Sequence, residues 1–233
     1  MKTAGVIGGL GPESTVEYYR SIVNLYRERT RDVSYPPVII NSVNMKRLID
    51  AFSVDDRAAA ADYLASEVSK LAQAGADFGL LSANTPHIVF DEVESRSTIP
   101  LISIVRATCD EAKARGMKRL GLFGTRFTAR AGFYARALAA EGLTLALPGD
   151  EEQEYIHERY MGELVNGLFL PETRAGLIAI ARRLKDEEGI EGLILVGTAL
   201  PLILREGEAE AAGVPFLDTT QIHVRAIVER MLS

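Results

Sequence analysis

Short apolar runs, several of them ending in glycine or a small polar residue, recur along this chain, and a helical stretch follows most of them. The runs are Thr3–Gly9, Pro37–Val43, Asp77–Ser82, Pro100–Ile104, Arg119–Gly124, Thr144–Leu147, Gly192–Gly197 and Val214–Asp218. Between them, helical spacing is clearest over 14–31, where Val16, Tyr19, Ile22, Val23 and Tyr26 share a face, and over 55–74, 105–115 and from Thr219 onward. Strands alternating with helices of this length predict parallel βαβ units. About four strands fall before residue 104 and about four after it. The expected fold class is therefore α/β, with two similar α/β/α lobes, each built on a mostly parallel four-stranded sheet. The expected division is 1–103 plus 214–233 for the N-terminal lobe and 104–213 for the C-terminal lobe. No Ser/Gly-rich linker, low-complexity tract or short repeat interrupts the chain.

Composition narrows the function classes. Of 233 residues, 47% are hydrophobic and 25% charged, which suits a packed globular chain rather than a disordered one. Lys plus Arg is 26 against 32 Asp plus Glu, a net charge of −6, so neither nucleic acid nor an anionic membrane is an expected partner. No apolar run reaches the ~18–20 residues that span a bilayer. The start, MKTAGVIGGLGPEST, lacks the long apolar stretch of a signal peptide. A single cysteine, Cys109, leaves no internal disulfide framework and no Cys-rich zinc site. A soluble, cytoplasmic protein is the expectation.

Parallel sheets bind ligands outside the carboxyl ends of their strands, and four polar clusters sit at such ends. Gly8–Thr15 follows the first strand; its glycines let backbone approach a ligand, and amides opening the next helix attract an anion. It matches neither the dinucleotide fingerprint, because Ser14 stands at the third glycine position, nor a phosphate P-loop. An ordinary tight turn capped by Ser14 or Thr15 is the competing reading. Ser82-Ala-Asn-Thr-Pro-His87 follows the third strand, where Asn84 and Thr85 offer short hydrogen bonds to a carboxylate or amine. His87 is a possible acid/base there, or a polar core residue. Gly124–Thr128 follows the fifth strand and offers Thr125, Thr128 and the charge of Arg126. Gly197-Thr-Ala-Leu-Pro201 follows the seventh, with Thr198 as its hydrogen-bonding side chain. Two clusters per half suit a site in an interlobe cleft, and helix starts with hydroxyls suit a small carboxylate. His87, His157 and His223 show no metal-ligand spacing, so no metal is expected.

These pieces, taken in order, resemble the cofactor-independent aspartate/glutamate racemase family over essentially the full length. They are Gly8-Gly-Leu-Gly-Pro-Glu-Ser-Thr, Ala83-Asn-Thr-Pro-His, Gly124-Thr-Arg-Phe-Thr, Glu151-Glu-Gln through Ile156-His157, Thr198-Ala-Leu-Pro-Leu and Asp218-Thr-Thr-Gln-Ile-His. The resemblance implies two pseudo-symmetric lobes, an interlobe site, no PLP, no metal or other cofactor, and commonly a homodimer. It implies a small acidic amino acid as ligand, with Gly8 to Pro12 (notably Gly9 and Gly11), Asn84, Thr85, Thr125, Arg126, Thr128 and Thr198 around it. In the family, one thiolate takes the Cα proton and a second thiol returns a proton to the opposite face; inversion needs an acid and a base on opposite faces.

The chain departs from that pattern at both thiols. Ala83 stands where the first cysteine usually precedes Asn-Thr, and Gly197 stands at the second when Leu200-Pro201 is aligned without a gap; one gap would put Thr198 there. Cys109, inside a predicted helix, is a structural cysteine, and Thr198 is a poor base without an activator. Two-thiol proton transfer is not possible with these residues. Three functions stay open: racemisation of an acidic amino acid by other groups, a related isomerase or lyase reaction using His87 or His157, and carboxylate binding without catalysis.

Overall fold

In a computed structural model of the chain, residues 1–31 and 33–233 are described, apart from the side chains of Pro12 and Glu206. Pro12, expected at the end of the glycine turn, therefore lies outside the described side chains. The strands are β1 (Ala4–Gly8), β2 (Val38–Ser42), β3 (Phe78–Leu81), β4 (Leu101–Ile102), β5 (Arg119–Phe123), β6 (Thr144–Ala146), β7 (Gly192–Leu195) and β8 (Phe216–Asp218). The helices are α1 (Pro12–Thr30), α2 (Met45–Ser53), α3 (Arg57–Gln73), α4 (Phe90–Arg96), α5 (Ile104–Ala114), α6 (Arg126–Arg130), α7 (Phe133–Ala140), α8 (Asp150–Gly162), α9 (Pro171–Glu188), α10 (Leu200–Ile203), α11 (Ala209–Ala212) and α12 (Thr219–Leu232).

The strands form two four-stranded sheets, ordered β2-β1-β3-β4 and β6-β5-β7-β8, and every pairing is parallel. The α/β class and the pair of four-stranded parallel sheets agree with the sequence reading. In the first sheet Val6 is in register with Ile40 of the edge strand β2 and with Leu80 of the central strand β3; in the second, the central strands are in register at Leu122↔Ile194. Strands β1, β3 and β7 are buried along their whole length, so they read as continuous apolar runs rather than alternating ones.

The chain divides into two compact units, Met1–Ala107 with His223–Ser233, and Thr108–Ile222. The stretch 214–233 is split between them. Strand β8 pairs with β7 and stays with the second sheet, whereas α12 buries Val224, Ile227, Val228 and Met231 in the first unit's core. A strand goes where its backbone hydrogen bonds are satisfied, and a helix goes where its apolar stripe is covered.

In the first unit, Tyr18, Ile22 and Tyr26 recur along one face of α1 and pack on Ala4, Val6, Phe78 and Leu80 with that stripe of α12. In the second, Leu177, Ile180, Ala181 and Leu184 of α9 pack on Phe123, Leu193 and Leu195. Each fully buried Leu, Ile or Phe contributes roughly 1.5–3 kcal/mol, so these stripes fix which way the strand ends face. Among the described residues, no helix is long and apolar enough to cross a membrane.

Candidate functional site

In the first unit, the carboxyl ends of the adjacent strands β1 and β3 carry Gly9, Gly11, Ala83, Asn84, Thr85 and His87. The two ends are tied directly. Ser82 donates both its amide (3.0 Å) and its hydroxyl (2.9 Å) to the Ile7 carbonyl. The Val43 amide, beyond β2, donates to the Gly8 carbonyl at 2.9 Å.

The glycine turn is a packing device. Gly9 has φ +74°, and a Cβ there would stand 2.4 Å from the Val43 carbonyl oxygen. Its amide donates to the Thr15 hydroxyl at 2.9 Å, and that hydroxyl lies 3.4 Å from the Gly11 carbonyl. Helix α1 takes Gly11 as its N-cap with no side-chain cap bond, so Thr15 braces the turn instead of capping the helix.

Ala83 is half-buried, Asn84 is buried and Thr85 half-buried, at the start of a 3-10 turn over Thr85–Val89. His87 is buried behind them. Its Nδ1 donates to the Ala83 carbonyl at 3.0 Å, and its Nε2 accepts the Ile104 amide at 3.3 Å. Those two bonds select the neutral Nδ1–H tautomer. Burial, reinforced by His223, pushes its pKa down to about 3. Phe90 stacks on the ring at 4.7 Å between centroids. A ring whose two nitrogens both serve backbone groups holds the turn that carries Ala83. With both nitrogens so engaged, it is poorly placed to exchange protons with a ligand.

The second buried histidine completes the same junction. His223 Nε2 donates to the Ile102 carbonyl at 3.0 Å, and its Nδ1 accepts the Tyr18 hydroxyl at 2.9 Å. Burial lowers its pKa to about 4. The pair of imidazoles thus pins both sides of Ser103, one through the carbonyl before it and one through the amide after it.

In the second unit, the adjacent ends of β5 and β7 bring together Thr125, Arg126, Thr128, Gly197 and Thr198. Thr125 caps α6, accepting the Thr128 amide at 3.3 Å with the two hydroxyls 3.1 Å apart. Arg126 is ion-paired with Glu154 of α8, a partner the sequence reading did not supply. Thr198 is half-buried in the turn between β7 and α10.

Gly197 has φ +106°, a conformation that L side chains rarely adopt. A Cβ built there would lie 2.2 Å from the hydroxyl oxygen of Tyr160. Tyr160 is a half-buried residue of α8, and burial raises its phenol pKa while the Ala199 amide donates to its oxygen. Sequence reasoning did not find it, because nothing near Tyr160 in the chain signals a partner 37 positions on.

Cys109 lies on α5, buried, with its thiol pKa pushed up to about 11, chiefly by burial. It is inert rather than poised. Among the described residues, no group of three His, Cys, Asp or Glu side chains is placed to hold a metal ion.

Paired parallel sheets whose adjacent strands end in braced, hydroxyl-bearing turns define an α/β protein of the kind that holds small polar ligands at its strand ends. The chain belongs to the Asp/Glu/Hydantoin racemase family, whose profile matches residues 7–227. It is 24% identical over 238 residues to the broad-specificity amino-acid racemase RacX of Bacillus subtilis, covering 98% of each chain. Two solved structures are similar over 100% of both chains. An Asp/Glu racemase candidate from Yersinia pestis has a TM-score of 0.94 at 31% identity. An aspartate racemase homologue from Pyrococcus horikoshii has 0.90 at 33%.

Proposed function

We propose that this chain binds a small carboxylate, with an acidic amino acid as the reference ligand, at the carboxyl ends of its parallel strands, and that it does not racemise that ligand by two-thiol proton transfer. One observation carries the reading. The turns after β3 and β7 keep Asn84, Thr85 and Thr198, yet the resemblance puts Ala83 at the first thiol position and Gly197, or Thr198 with one gap, at the second, while Cys109 is buried in α5 with a raised pKa. Gly9, Gly11, Thr125, Arg126 and Thr128 supply the remaining amides, hydroxyls and charge. Family membership and the amino-acid racemase relative support an amino-acid ligand. The same reading has the chain acting without PLP or metal, as a cytoplasmic homodimer.

Calorimetry against L- and D-aspartate, L- and D-glutamate and succinate is the test, with proton NMR of the same ligands in heavy water. The expected result is saturable binding with no Cα exchange above the buffer rate. Absence of binding by the whole panel, or exchange with inversion, overturns it.

A one-face isomerase or lyase reaction is the second reading, and His157 favours it. Its Nδ1 is buried without a hydrogen-bond partner among the described residues, on the face of α8 that also carries Tyr160. Exchange at Cα with retained configuration, lost in His157→Asn, is the result this reading requires.

A further inference from the structure

We propose that the Tyr160 hydroxyl is a ligand-contacting hydrogen-bond donor that takes the place of a side chain at position 197, so that the second unit addresses the carboxylate ligand through a phenol rather than a thiol.

Space is the first constraint. Gly197 is two residues past the end of β7, next to the end of β5, where parallel sheets present ligand contacts. A Cβ there meets the phenol oxygen at 2.2 Å and the ring carbon bearing it at 3.1 Å. Real Cβ contacts do not come that close, so glycine and the phenol are a matched pair. The volume that a side chain at 197 would fill already holds a polar atom.

Chemistry gives that atom a direction. The Ala199 amide donates to the phenol oxygen, which uses one of its acceptor sites and leaves the O–H hydrogen as its donor. Burial holds the phenol in its protonated form, so it stays a donor across the ordinary pH range. A neutral donor beside a carboxylate makes a charge-assisted hydrogen bond. The anchoring is firm for a side chain on a separate helix. On α8, Arg159 pairs with Glu163, whose carboxylate also accepts the Thr173 hydroxyl, and Ile156 is buried in the core. The residue thereby gains a role in binding and selecting the ligand, and none in moving a proton from Cα.

This inference rests on the carboxylate-binding reading above, and Tyr160→Phe separates the two. The ring stays and only the hydroxyl leaves. Calorimetry of wild type and Tyr160→Phe uses the same panel, with melting curves of both. The expected result is that wild type binds at least one ligand and that its affinity falls about 10-fold or more in the variant, the usual loss for a hydrogen bond to a charged group, while the melting curve shows the variant still folded at the temperature of the titration. Wild-type binding with unchanged affinity in the variant overturns the Tyr160 role alone. No binding by wild type overturns both readings. A ζ-13C-tyrosine label gives an independent reading. The resonance absent from Tyr160→Phe shifts on ligand addition if the phenol contacts the ligand, and stays fixed if it does not.

Discussion

The Nδ1 of His87 donates to the Ala83 carbonyl at 3.0 Å while its Nε2 accepts the Ile104 amide at 3.3 Å, so one imidazole joins the turn after β3 to the start of α5. Its removal takes away both of those hydrogen bonds, each contributing about 0.5–1.5 kcal/mol. His87→Ala should therefore destabilise the protein by roughly 2–5 kcal/mol, the large-to-small loss included. Urea unfolding measures this. A loss below about 0.5 kcal/mol, the level of an uninvolved surface position, would show that the ring does not carry these bonds.

Acid should weaken the fold through the two buried histidines. Their ordinary pKa is 6.5, and in the folded chain burial holds His87 near 3 and His223 near 4. Arg106 and the mutual repulsion of the two rings push His87 the same way. Between these values the unfolded chain binds protons that the folded chain refuses, so stability rises with pH. The contribution is complete above about pH 6.5 and is lost as pH falls toward 4 and then 3. At pH 5 each ring costs about 2 kcal/mol relative to pH 7. Urea midpoints at pH 7, 6 and 5 check the slope, and His223→Gln should flatten part of it. Equal midpoints at pH 7 and pH 5 would contradict the buried neutral pair.

Gly9→Ala tests the glycine turn against a control. Both Gly9 and Gly116 have positive φ, +74° and +72°, but a Cβ at 116 meets nothing within 4 Å, whereas at 9 it meets the Val43 carbonyl at 2.4 Å. Gly116→Ala should cost about 1–2 kcal/mol for the left-handed backbone alone. Gly9→Ala should cost clearly more, roughly 3–5 kcal/mol, because the backbone of β2's end has to move as well. Equal losses would mean that the close approach is not maintained in solution.

Much of this architecture is legible in the sequence because buried parallel strands leave a plain mark. Runs such as Gly192-Leu-Ile-Leu-Val-Gly are apolar throughout and stop at glycine, and the observed strands fall within the expected runs. Helix α2 escaped, although Asn44 caps it and Met45, Leu48, Ile49 and Phe52 have helical spacing. The stretch is short, and only Leu48 is buried. The candidate residues of each strand end were also legible, since strand ends follow from strand runs. Their partners were not. Glu154 beside Arg126, Ile104 beside His87 and Tyr160 over Gly197 are tertiary contacts, set by how helices pack rather than by local pattern. A sequence shows that a histidine or arginine stands near a strand end; it does not show that another group already occupies its hydrogen bonds or its charge.

Cys109 should behave as a core residue. With its thiol buried on α5 and its pKa near 11, little thiolate is available at neutral pH. A thiol reagent at pH 8 should label the native protein only as fast as local opening exposes the site, and the denatured protein at the rate of a free thiol. Labelling of the native chain at the free-thiol rate would contradict that burial and make Cys109 a candidate for chemistry.

Arg126 is the charge expected to attract a carboxylate, yet it is paired with Glu154, and both side chains are about two-fifths exposed. A pair this exposed contributes at most about 1 kcal/mol to stability, so removing Glu154 should leave the fold nearly unchanged. The effect should instead appear in binding. Glu154→Gln removes a negative charge from beside the arginine and should strengthen affinity for a small dicarboxylate several-fold, a gain on the order of 1 kcal/mol. The gain should shrink as salt is raised from 50 to 300 mM, because the interaction is solvent-exposed and screened. Arg126→Gln should move affinity the other way. Calorimetry of the three proteins at the two salt concentrations decides it: if Glu154→Gln and Arg126→Gln leave affinity equal to wild type at low salt, Arg126 is a solvated surface residue and the ligand's charge is met by amides and hydroxyls alone.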